Sequence, residues 1–109
     1  ENIEEAYLLK RKADSYFSEG EYEKAILEYQ NAILKDSELV EAYASLGKLY
    51  WELYKKENND IDLKSSLQQF KIAWNKKEMF RYNFEYFEFL FNYFSFLSSY
   101  GYKLHYKLH

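Results

Sequence analysis

The side chains best suited to metal chemistry are His105 and His109, whose spacing of four places two imidazoles on one face of a helix. No cysteine occurs in the chain and no acidic residue lies near the pair to complete a coordination shell. Both belong to a tandem, Tyr102-Lys103-Leu104-His105 repeated as Tyr106-Lys107-Leu108-His109, at a chain end where helices fray. No metal and no cofactor is expected. The acidic residues Glu21, Glu23, Glu28, Glu38 and Glu41 fall on expected exposed helix faces, where solvation accounts for them. A Gly-rich phosphate loop, a serine–histidine pairing and a His-Glu-x-x-His sequence are all absent. Catalysis needs a converging constellation of such groups, so the expectation is a protein that is not an enzyme.

The elements that could position a binding surface instead are helices. Among 109 residues there is no proline, and glycine occurs only at Gly20, Gly47 and Gly101. With 48% apolar residues and many Glu, Lys, Leu and Ala, the chain reads as one folded, all-α domain. The net charge of −3, with both signs interspersed, offers no footprint for a nucleic-acid backbone. No basic segment followed by an apolar run opens the chain, which points to a cytoplasmic setting; the first residue is Glu1 rather than Met, as in a processed or trimmed chain.

Internal repetition organises these helices. Leu9 and Tyr43, Ala13 and Gly47, and Tyr16 and Tyr50 recur at a spacing of about 34 residues. Ala25 and Ser66, Ile26 and Leu67, Tyr29 and Phe70, and Ala32 and Ala73 recur at about 41. One insertion of about seven residues, within 55–62, reconciles the two spacings and should form an exposed extension of two helices and a loop. Ala25, Tyr29 and Ala32 stand at i, i+4 and i+7, as do Ser66, Phe70 and Ala73, so each trio shares a helix face where small residues admit a neighbouring helix. Helices are predicted over 3–18, 22–35, 38–57, 61–77 and 80–100. Gly20 should stop the first, Ser37 should cap the third, and Asp60 or Asp62 the fourth.

Residues 6–39 resemble a tetratricopeptide repeat, with Leu9, Ala13, Tyr16, Ala25, Tyr29, Ala32 and Ser37 in the family's slots and Gly20-Glu21-Tyr22-Glu23-Lys24-Ala25-Ile26 close to its turn and second-helix start. Residues 40–80 resemble a second copy, through Tyr43, Leu46, Gly47, Tyr50, Ser66, Phe70 and Ala73. Both copies lack the family's terminal proline, and the second carries the longer loop. The resemblance implies antiparallel helix pairs stacked as a short right-handed solenoid that binds a peptide or helix of a partner protein on its concave face. It places Tyr7, Lys10, Asp14 and Phe17 on that face from the first copy, and Glu41, Ala44, Lys48, Trp51 and Glu52 from the second. Aromatic anchors there would supply buried area and the charges would set register, although Phe17 and Trp51 could equally pack between helices. Some members of the family clamp acidic chaperone tails. Of those clamp positions only Lys10 matches here: Asp14 and Ser45 stand where asparagines are required, and Tyr82 and Tyr86 where Lys and Arg are. That ligand is not expected.

Residues 80–102 hold twelve Phe or Tyr. Tyr82, Phe84 and Tyr86 alternate like a strand, but the alternation breaks at Phe87, whereas Arg81, Glu85, Glu88, Asn92, Ser95 and Ser99 recur at alternating spacings of about four and three, as a polar helix stripe. This capping helix would lie against the Leu67, Phe70 and Trp74 side of the fourth. Two roles remain open: sealing the solenoid end, or forming a surface that pairs with a second copy, a missing downstream segment or a partner; a second copy met through Phe84, Phe87, Phe91 and Phe94 would make the protein a self-assembling homodimer. Glu85 and Glu88 interrupt the run well short of the ~20 residues of a membrane span, and the polar stripe holds only Arg81 for binding to a membrane surface.

Overall fold

The structure is a computed structural model and describes residues 2–76, apart from the side chain of Trp74. The chain divides into two compact units, Glu1–Met79 and Phe80–His109. The predicted helix at 80–100, with Phe84, Phe87, Phe91 and Phe94, its contacts with Leu67, Phe70 and Trp74, and the histidine tandem, lies outside the described residues.

Four helices make up the first unit: α1 (Ile3–Ser18), α2 (Tyr22–Lys35), α3 (Val40–Glu57) and α4 (Asp60–Asn75). Helix α1 starts where the Asn2 side chain accepts the Glu5 N–H at 2.9 Å, a cap that typically contributes about 1 kcal/mol, and Glu4 and Glu5 complement the helix dipole. It ends at Gly20 (φ +80), with the Gly20 N–H donating to the Phe17 carbonyl and the Glu21 N–H to that of Tyr16. That bond pair requires a left-handed residue, which glycine adopts without strain.

Helix α2 turns back along α1. Ion pairs Lys35–Glu5 (3.5 Å) and Lys12–Glu28 (3.7 Å) cross the seam, and the Asn2 N–H donates to the Lys35 carbonyl. Contact between the two is close because Ala6, Ala13, Ala25 and Ala32 are fully buried along it. Helix α3 then packs on the pair: Leu46 and Leu49 form one apolar cluster with Ala13, Ala25 and Tyr29, edged by Tyr16, Tyr22, Ile26 and Ile33.

The α3–α4 pair repeats this design with different atoms. A Cβ on Gly47 would stand 3.0 Å from the Phe70 ring, so the glycine is what admits the ring. Ser66 is fully buried in the slot of Ala25, and its hydroxyl donates to the Gly47 carbonyl at 2.8 Å, which offsets the cost of burying it.

Three details differ from expectation. Helix α3 begins at Val40 rather than near 38, and Ser37 is not its cap: the Asp36 side chain accepts the Glu38 N–H at 3.0 Å, turning the chain there, and the Ser37 carbonyl accepts from the Tyr43 hydroxyl. Helix α4 is capped by Asn59, which accepts the Ile61 N–H at 3.0 Å, while Asp60 and Asp62 sit in its first turn as dipole complements. Glu28 and Glu41 are half-buried in ion pairs rather than simply solvated.

Candidate interaction surface

Helix α1 carries Tyr7, Lys10, Asp14 and Phe17 at helical spacing, and the stacking of α3 on the α1–α2 pair brings Glu41 beside them. The Lys10 ammonium lies 2.7 Å from Asp14 Oδ2 and 3.7 Å from Glu41 Oε2, which joins the two helices across the surface. From α2, the Tyr29 hydroxyl donates to the other oxygen of Asp14. This bond accounts for a difference between the copies. By register Phe70, without a hydroxyl, replaces Tyr29, and Lys48, whose side chain offers no acceptor, replaces Asp14.

The remaining surface residues divide between solvent and core. Tyr7 is 45% exposed, and Lys48 is exposed farther along α3. Ala44 is buried and offers no side chain to a ligand. The Phe17 ring meets Tyr22 edge-on at 5.7 Å and packs at the margin of the core. Trp51 lies 6.0 Å from Tyr54, with the Lys55 ammonium 5.8 Å over its ring, and Glu52 pairs with Lys55 at 3.0 Å. Thus Lys10, Asp14 and Glu41 meet directly, Tyr7 stands on their stripe, and Lys48, Trp51 and Glu52 continue the surface along α3.

Two features escape sequence reasoning. Tyr29 acts as the support of Asp14, and its only sequence signal is the Tyr-to-Phe change between copies. Lys76, beyond α4, pairs with Glu38 at 3.3 Å and lies 5.4 Å over the Tyr43 ring, closing the base of the second pair, with no signal in spacing at all. Burial pushes the Tyr43 hydroxyl above its ordinary value of 10.0, with Lys76 opposing and Glu38 and Asp36 adding. Burial likewise raises Tyr50, helped by the Asp62 carboxylate, and raises Asp62, helped by Glu57. Among the described residues no group of three or more His, Cys, Asp or Glu is placed to hold a metal ion, and no helix is long and apolar enough to cross a membrane.

Antiparallel helix pairs, alike in register and packed one on the next through small residues, define a helical-repeat protein. Residues 13–53 match the family described as TPR repeat, which supports a tetratricopeptide-repeat reading of the helical pairs. No curated protein and no solved structure matches it. Repeats of this family generally mediate protein–protein interaction and are typically non-catalytic.

Proposed function

We propose that this chain is a protein-interaction module without catalytic activity, and that the face shared by α1 and α3 receives a peptide or helix of a partner protein. The observation that carries the reading is the Lys10–Glu41 contact, which joins the first helices of both pairs into one surface bearing the exposed Tyr7 ring. Aromatic rings bury large area at low conformational cost, and flanking charges fix register. The test is a photoreactive residue substituted at Tyr7, at Lys48 or at Leu27, an exposed position on α2. Irradiation in extract should give the same partner adduct from Tyr7 and Lys48 and none from Leu27. Equal yield from Leu27 would remove the reading.

A second reading is self-association through residues 80–102, favoured by their twelve Phe and Tyr. The two are compatible, because they use different parts of the chain.

A further inference from the structure

We infer that the α1–α3 face selects a basic partner segment: a Lys or Arg side chain seated against Asp14 and Glu41, with an aliphatic or aromatic neighbour on Tyr7. This rests on the peptide-docking reading above and names the chemistry of its ligand.

The arrangement of charge at this end of the surface is asymmetric. Lys10 is the most covered member of its cluster: its side chain is 15% exposed, against 41% for Asp14 and 23% for Glu41. Its ammonium is turned to the two carboxylates, so an approaching ligand meets carboxylate oxygens before it meets the ammonium. One cation between two anions leaves a net negative charge at the spot. Asp14 is held in place by Lys10 on one oxygen and Tyr29 on the other. Glu41, at 3.7 Å from Lys10, lies beyond hydrogen-bond distance to it and keeps acceptor capacity for a ligand donor.

The apolar half of the recognition lies beside these acids. Ile3 and Tyr7 precede Lys10 on the same stripe of α1 and are 67% and 45% exposed. A Lys or Arg side chain suits such a border, because its methylene stem lies along apolar surface while its head group meets the carboxylates, and the Tyr7 ring can add a cation–π contact. An anionic ligand fares worse at both places. It would have to displace Asp14 from a 2.7 Å contact with Lys10 and would then sit beside Glu41.

The experiment is fluorescence anisotropy on the full chain with three labelled peptides of equal length and identical Leu and Tyr positions. Their intervening residues are Lys in the first, Gln in the second and Glu in the third. The Lys peptide should bind at least about tenfold more tightly than the Glu peptide. Glu41→Gln should shrink that gap. Glu23→Gln, which changes net charge equally at an exposed site on α2, should leave it intact. Tyr7→Ala should weaken all three, and melting curves should show each variant folded. Equal or tighter binding of the Glu peptide overturns the proposal, as does an equal loss from Glu23→Gln and Glu41→Gln. Three equal affinities that all fall with Tyr7→Ala overturn the charge selectivity and leave the docking reading standing. No binding by any peptide, or binding indifferent to both Tyr7 and Glu41, overturns the two together.

Discussion

At Ala25 the side chain is a single fully buried methyl, and the neighbouring helices occupy the volume a longer one would need. Ala25→Leu, and Ala32→Leu at the equally buried position two turns further along the same face, should each destabilise the unit by about 1–3 kcal/mol through overpacking. An unchanged thermal melt in either variant would count against the helix pairing. Asp62 makes a prediction of different sign. Desolvation, with the Glu57 carboxylate second, raises its pKa above the ordinary 3.8, so the folded state holds this proton more tightly than the unfolded one. Its contribution to stability is therefore fully present below about pH 3.8 and is lost as pH rises through the folded pKa. Between pH 3 and pH 7 the urea midpoint of Asp62→Asn should gain on that of the parent protein, whatever their order at pH 3. A constant difference would show that Asp62 is not desolvated. Small buried residues such as Ala13, Ala25 and Gly47 were legible because a close helix contact tolerates nothing larger. The caps were less so: Asn59 competes with Asn58, Asp60 and Asp62, and Ser37 with Asp36, all of similar capping strength, and backbone geometry decides among them.

Between helices, the two copies show how one design absorbs an insertion. Helix α3 runs ten residues past Gly47 where α1 runs five past Ala13, and α4 begins six before Ser66 where α2 begins three before Ala25. The extra length is thus helical, and Asn58 closes it in the left-handed conformation (φ 56), its N–H donating to the Tyr54 carbonyl at 2.7 Å. Tyr54 and Leu63 flank the extension and are buried, while residues 55–61 are exposed. Removing residues 56–62 should therefore preserve the helical circular-dichroism signal and a cooperative melt; a collapse of both would mean that the extension carries fold stability. Register and helix count were readable because apolar periodicity spans many residues. The seams were not readable from spacing. Lys12 and Glu28 form an ion pair across α1–α2, but their counterparts by register are Leu46, buried against the first pair, and Gln69, whose side-chain oxygen is buried without a hydrogen-bond partner among the described residues. The Lys12 slot is polar where water reaches it and, as Leu46, apolar where another helix does, which depends on stacking order rather than on local sequence.

For the molecule as a whole, the unsettled balance is between apolar surface and solubility. Apart from the Ile3–Tyr7 stripe, the described unit leaves Leu8, Leu27, Leu34 and Ile61 exposed as single residues on separate turns, an ordinary feature of protein surfaces. Residues 80–102 pose a different problem, with twelve aromatic residues in one stretch and a polar stripe of only six positions. On a helix of 3.6 residues per turn, a single stripe covers one narrow side, and a single packed neighbour covers roughly one other. Phe84, Phe87, Phe91 and Phe94 recur at spacings of about three and four and would share a face of the helix expected there. Exposed apolar patches of more than a few hundred Å² are rare on monomers, so a face of four phenylalanines favours a cover supplied by another copy. A homodimer is the simplest closed arrangement, since one self-complementary patch serves both chains. Sedimentation equilibrium on the intact chain should therefore show a dimer, and the double variant Phe91→Glu, Phe94→Glu should shift it to monomer, because four carboxylates would have to be desolvated at the shared face. Circular dichroism on both proteins separates dissociation from unfolding. A wild-type chain that stays monomeric and folded at high concentration would sink the dimer and leave this segment the role of an intramolecular cap.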